Sequence, residues 1–389
     1  MTRILVVGLT FLAASAGASR PDAPHILGPR RTTDRTPTFR FVSHEAGLRS
    51  RAIGFRCAID RKRLHRCPSR YTPTLRLGRH TLRARAVDPK GRTSRTSVAR
   101  VSVVRPVPHA DQTVRVGNAP HNVAAGFGSV WVTVSGELVR LDSATGAVLA
   151  RISIGGRPWG VAVGEGAVWV GNWTDGTVTR VDPATNTVVW RVTLNTSFGE
   201  ASPVGVAAGG GSVWAADNSS DEVWRLDPAT GAVLATAHVG DAHEFVGFGE
   251  GGVWVSSENG TVGQLDPASG GLTRTIAAGA DADFLGFSPG ALWVTNYGSE
   301  FLWRIDPVTG AVSAKLNIGD AGAQGLGFDG SSLWVAIYNR EEVLRIDPTN
   351  GRVQRRVVVG VKPRGLAIAA GSVWVANSES GTVSRIQVP

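Results

Sequence analysis

The sequence is poor in several residue types, and each shortage narrows what the protein can be. Its 389 residues include two Cys, one Met and three Tyr, and the only lysines are Lys62, Lys90, Lys315 and Lys362. Two cysteines cannot build a Cys-rich zinc site or a disulfide-dense miniprotein. No Gly-x-Ser-x-Gly elbow, zinc-ligand spacing or phosphate-binding loop is present. Beyond the N-terminus, no stretch reaches the ~20 apolar residues of a membrane-spanning helix. What the chain has instead is glycine, 49 of them, and twelve tryptophans.

Seven of those tryptophans recur in one short text, a small residue followed by apolar-Trp-apolar: Trp131, Trp169, Trp214, Trp254, Trp293, Trp334 and Trp374. Their spacings are 38, 45, 40, 39, 41 and 40 residues. A period near forty, filled with strand and turn text, predicts an all-β propeller rather than a helical solenoid. Each period holds four short strands. The third and fourth are joined by a turn opening on Asp142, Asp182, Asp227, Asp266, Asp306 or Asp347, most often followed by Pro. An Asp side chain can accept nearby backbone N–H groups there, and Pro presets φ. Arg140, Arg180, Arg225, Arg304, Arg345 and Arg385 stand at one matching position and are expected as cross-strand partners, with Gln264 replacing Arg in the fourth period. Residues that recur with the period read as architecture, not catalysis. The last repeat stops one strand short, and Thr113–Gly117 matches the missing strand. The expectation is a seven-bladed β-propeller over 112–388, closed by a hybrid blade of first and last strands that leaves no open edge.

The charge divides the chain. Residues 22–104 carry 20 Lys+Arg against 5 Asp+Glu, while 106–389 carry 18 against 26. A basic module therefore precedes an acidic one, joined by a Pro-punctuated linker at 105–111. Residues 1–18 combine Arg3, an apolar run and a small-residue exit, the pattern of a secretory signal peptide, so the mature protein is expected to be secreted or held at the cell envelope. Cys57 and Cys67, in strand-rich text of an exported chain, suit a disulfide closing a hairpin. The basic module alternates clearly, with Leu82, Ala84 and Ala86 set against Arg83 and Arg85. About eighty residues of short strands predict a small β-sandwich. Its arginine excess reads either as a solvated face or as an adhesion surface for an anionic polymer. Without interleaved aromatics, specific nucleic-acid recognition is not expected.

The text Phe55-x-Cys57-x-x-Asp60, Cys67-Pro68-Ser69-x-Tyr71-Thr72, Leu77-Gly78-x-His80-Thr81 and Arg85-Ala86-Val87-Asp88-x-x-Gly91 resembles the bacterial immunoglobulin-like repeats of exported actinobacterial proteins. That resemblance implies an Ig-like spacer or adhesion unit without catalysis.

Within a propeller blade, the first-to-second and third-to-fourth turns share one face, and here they are monotonous. The other loops, around the channel mouth, vary from blade to blade, and varied loops on a rigid scaffold are where sites are grafted. They hold the candidate ligand-binding residues His121, Asn122, Arg157, Trp159, Asn172, Trp173, Asp217, His243, Asn296, Tyr297, Tyr338, Asn339 and Arg364. Aromatics with polar neighbours at a concave mouth suit a sugar or a flat ligand. Carboxylates cluster in blades three to five and basic groups in blades two and seven, so the mouth is expected to be polarised.

The repeat P-x-G-V-A, VWV-x-N, G-T-V-x-R-[VIL]-D-P-x-T-G resembles the streptogramin (virginiamycin B) lyase-like and YVTN-type propellers across 112–388. In the lyases a metal-binding Glu precedes a His by two residues, with another carboxylate about fifteen residues on. The nearest match is Asp241, His243 and Glu258, with Asp in place of Glu and Ser257 at the expected carboxylate position. The resemblance thus implies, as an alternative, a Mg²⁺-dependent lyase with His243 as base. The first reading is a monomeric, non-enzymatic binder without metal or cofactor, whose partner is a cell-wall polymer, peptide or protein.

Overall fold

A computed structural model describes residues 20–44, 53–104, 106–197, 199–240 and 243–388, with residues 243 and 244 described by their backbone alone. Residues 1–18, read from the sequence as a signal peptide, lie outside the described residues, as do Arg105 of the expected linker, Asp241 and the side chain of His243. Every regular element among the described residues is a β-strand. The chain separates into two compact units, Met1–Pro106 and Val107–Pro389.

The first unit is two sheets on one core. The larger runs in the order Arg31–Thr32, Ser97–Val103, Gly78–Val87, Gly54–Ile59, His65–Cys67, and the smaller in the order His25–Leu27, Phe39–Val42, Arg70–Tyr71. Alternation along the strands sends Phe55, Cys57, Leu82, Ala84, Ala86, Val101 and Val103 inward against Phe39 and Phe41. Gly54–Ile59 and His65–Cys67 pair as a hairpin, and Cys57 is disulfide-bonded to Cys67 with Cα atoms 6.0 Å apart.

Among the described residues the second unit contains seven four-stranded antiparallel sheets. Six use four consecutive strands. The seventh joins Pro363–Ala369, Ser372–Asn377 and Thr382–Gln387 to Gln112–Arg115, with Val383 opposite Val114 and Arg385 opposite Gln112. The first strand of each sheet packs against the first strand of the next, from Val123–Gly126 around to Pro363–Ala369 and back to Val123–Gly126, so the ring closes.

One tryptophan per sheet fills the wedge between sheets, and all seven are 0–1% exposed. A flat apolar side chain of that size is worth about 3–5 kcal/mol to such a core. Their indole N–H groups are mostly satisfied five residues back, as in Trp169 Nε1 to the Gly164 carbonyl at 2.8 Å. The recurrent arginine is a cross-strand partner of its own sheet's tryptophan: Arg140 pairs with Trp131 and its guanidinium lies 4.9 Å from that ring. Arg140 also reaches the next sheet, donating to the Pro183 carbonyl at 2.7 Å. The fourth sheet keeps this latch by another route. Gln264 stands opposite Trp254, and Arg274, from the adjacent strand, donates to Gln264 at 2.6 Å and to the Pro307 carbonyl at 2.7 Å, its guanidinium 6.0 Å from the Trp254 ring. The turn aspartates behave alike. Asp227 Oδ1 accepts from the Ala229 and Thr230 amides, which hold its carboxyl below the usual carboxylate range.

Candidate functional site

The loops before each first strand and after each second strand meet at one end of the ring and enclose a cavity of about 520 Å³. Trp159, Trp173, Tyr297 and Tyr338 supply its aromatic walls, with Val204, Asn218, Gln324 and Arg364 between them and Glu258, Asp281, Ala282 and Asp283 on the acidic side.

Two repeat positions build almost all of this wall. Ten residues before the core tryptophan stand His121, Trp159, Val204, Glu244, Asp283, Gln324 and Arg364. Four residues after it stand Ser135, Trp173, Asn218, Glu258, Tyr297, Tyr338 and Ser378. Ten of the twelve residues that line the cavity come from these two positions, and the chain varies their chemistry sheet by sheet.

On the basic side the groups stack. The His121 ring lies on Trp159 with centroids 4.0 Å apart and planes 20° from parallel. Trp159 meets Trp173 edge-on at 5.2 Å, and the Arg157 guanidinium lies 4.6 Å from the Trp173 ring and 5.3 Å from Trp159. Arg364 sits between Trp159 and Tyr338, 5.1 Å from each ring, while Lys362 lies over the Tyr338 ring at 4.3 Å. Such cation–π contacts anchor the basic groups while leaving their N–H donors for other partners. Both ring nitrogens of His121 are buried without a hydrogen bond. Burial, reinforced by the Arg364 and Arg157 charges, pushes this imidazole down to about 3, so it is neutral at pH 7.

On the acidic side Asp283 is 7% exposed and accepts from Gln324 Nε2 at 3.0 Å. Burial pushes its carboxyl up to about 7; Arg364 and the Gln324 hydrogen bond oppose that rise, and Glu258 and Asp281 add to it. The group is thus poised between donor and acceptor near neutrality. Gln324 Oε1 is buried with no hydrogen-bond partner.

Of the residues singled out from sequence, Trp159, Trp173, Tyr297, Tyr338 and Arg364 line the cavity, as does Glu258 of the lyase-type group, and His121 and Arg157 back the aromatic wall. The structure places others inside the loops instead. Asn172, fully buried, donates to the Thr177 and Thr179 hydroxyls, and Asp217 accepts from the Ser202 amide and the Ser219 hydroxyl. Asn122 caps its own strand through the Val123 amide, Asn296 is fully buried, and Asn339 lies beside Gly322. Asp283 and Gln324 belong to the varied mouth loops read from the sequence, whereas Asn218 and Val204 were not among the sequence candidates. Aligning the repeats on their tryptophans and reading the two wall positions would have found them.

Among the described residues no three His, Cys, Asp or Glu side chains gather as a metal-binding group. No helix among them is long and apolar enough to cross a membrane.

Comparison with known proteins supports the architecture. A family described as a repeat of unknown function (DUF6923) matches residues 158–282. No curated protein matches the sequence. Among solved structures, hydrazine synthase of Kuenenia stuttgartiensis superposes with a TM-score of 0.61 at 15% identity, over 70% of this chain and 96% of that one. A chain of the mitotic checkpoint complex gives 0.64 at 11% identity, over 73% and 93%. The WD40 β-propeller domain of Doa1 gives 0.59 at 12% identity, over 71% and 96%. At these identities the likeness defines the fold alone: the ring unit is a β-propeller.

Proposed function

We propose that this is an exported ligand-binding protein, a seven-bladed propeller presented behind an Ig-like spacer, which binds a cell-wall component, peptide or protein at its channel mouth without turning it over. The observation that supports this reading most is the chemistry of the cavity. Four aromatic side chains frame about 520 Å³, with Arg364 on one side and Asp283, Glu258 and Asp281 on the other. Stacking surfaces joined to donors and acceptors of opposite charge suit a flat or ring-bearing ligand with polar groups at both ends. The residue types that vary are those on the wall, whereas the turns at the other end of the repeats are uniform. The disulfide supports the export reading, since such bonds persist in oxidising compartments.

The test is a thermal-shift screen of the full chain against wall sugars, peptides and cyclic depsipeptides, in which a ligand at a hundredfold its Kd adds about 2.7 kcal/mol of stability. W159A and W173A are each expected to weaken a hit at least tenfold. Unchanged affinity in both variants refutes the stacking site.

Glu258 on the cavity wall favours a second reading, a lyase related to the streptogramin enzymes. Of its three candidate groups only Glu258 has a described side chain, so the described residues do not assemble a Mg²⁺ ligand set. Turnover lost in H243A but retained in W159A would establish that reading over the binder.

A further inference from the structure

The larger sheet of the first unit has one face in the core, and the other face carries six arginines. The register places Arg66 opposite Arg56 and Arg56 opposite Arg85, a row of three guanidinium side chains across three adjacent strands. Arg83 follows two residues from Arg85, opposite Ala58 and Val98. Arg100 stands opposite Thr81, and Arg79 opposite Ser102. All six alternate with buried residues (Phe55, Cys57, Cys67, Leu82, Ala84, Ala86, Val101), so they share the outer face. None of the five strands contains an Asp or Glu. Among the described residues none of the six arginines is in an ion pair. Two acids border the sheet and are already engaged: Asp60 accepts from His80 at 2.9 Å and from the Thr81 amide, and Asp88 pairs with Arg92 at 2.6 Å. Arg85 donates to the Thr96 hydroxyl and Arg83 to the Lys62 carbonyl, neutral acceptors that orient the side chains without discharging them.

Like charges directly opposite on adjacent strands destabilise a sheet. Strands ~4.8 Å apart, with same-face neighbours ~6.7 Å along each strand, hold these cations in a dense grid. Six arginines without an ion-pair partner on such a grid work against folding and suit an anionic partner that spans them. We infer that this face docks a linear phosphate-bearing polymer. Arginine's planar fork pairs bidentately with the two non-bridging oxygens of a phosphate, and a phosphate chain presents such groups in close succession along a row of guanidinium groups. No aromatic side chain lies among the six, so the face tracks phosphate without stacking on bases.

The experiment is fluorescence anisotropy of labelled long-chain inorganic polyphosphate with the full chain, repeated across a salt series. R56Q/R66Q/R85Q is expected to raise Kd at least tenfold and to reduce the slope of log K against log salt by about 2 to 3, since each lost phosphate contact removes roughly 0.7–0.9. A control with the same charge change on exposed arginines of the ring unit, R115Q/R191Q/R352Q, is expected to stay within twofold. R79Q/R100Q gives an independent reading of the same face. At low salt R56Q/R66Q/R85Q should melt no lower than the parent chain, because it relieves repulsion. Equal weakening by the control would mean that net charge alone is read, and would overturn the assignment. So would polyglutamate of equal length binding as tightly as polyphosphate, or a single-stranded oligonucleotide binding more than tenfold tighter.

Discussion

His121 and Asp283 should titrate against each other, and the two effects can be separated. The His121 imidazole is pushed down from 6.5 to about 3, so between those values the unfolded chain holds the extra proton and folding stability rises with pH. The Asp283 carboxyl is pushed up from 3.8 to about 7, so between those values the folded chain holds the extra proton and stability falls with pH. Each slope is about 1.4 kcal/mol per pH unit, and both groups are less than 10% exposed, so solvent screens neither strongly. From pH 4.5 to 6 the two cancel. H121F removes the first effect while keeping a ring on Trp159, and D283N removes the second. Relative to the parent chain, H121F should lose about 2 kcal/mol of stability on going from pH 4.5 to 6, and D283N should gain about as much. Taking differences removes the shared background of the turn aspartates. Urea unfolding followed by tryptophan fluorescence is a clean assay, because all twelve tryptophans lie in the ring unit. Parallel profiles for H121F and the parent chain would refute the account of a neutral buried imidazole.

Two further expectations test the scaffold. A Cβ at Gly325 would collide with the Arg364 carbonyl oxygen, so G325A should displace the Arg364 strand and weaken a cavity ligand by tenfold or more, although Gly325 presents no side chain to it. Isothermal titration with a ligand from the screen measures this, and undiminished affinity would mean that the strand approach does not set the position of Arg364. Arg274 stands in for the arginine that the fourth sheet lacks, and R274A should cost about 2 kcal/mol in urea unfolding through its lost charged hydrogen bonds. R274K should recover little of that, since an ammonium cannot reproduce the fork; a loss under 0.5 kcal/mol would show that the latch is dispensable.

Much of this protein is local enough to be legible in its residues. The period near forty, one wedge tryptophan per period, the Asp-initiated turns and the spare Thr113–Gly117 strand are consequences of short-range chemistry, and each is written within a few residues. Trp159, Trp173, Tyr297, Tyr338 and Arg364 could be found because aromatics and charges stand out in loops that otherwise vary. What alternation concealed was the side on which a residue lands. Asn172, Asp217 and Asn296 sit three residues after the core tryptophan and turn inward to satisfy the loop, while Trp173, Asn218 and Tyr297, one residue later, face the cavity. A single step along an extended chain exchanges inside for outside, and composition does not reveal which. Packing of neighbouring sheets decided the rest: it brings Asp283 to Gln324 across 41 positions of sequence and lays His121 on Trp159. Burial, which perturbs both titrations, exists only once the sheets have packed together.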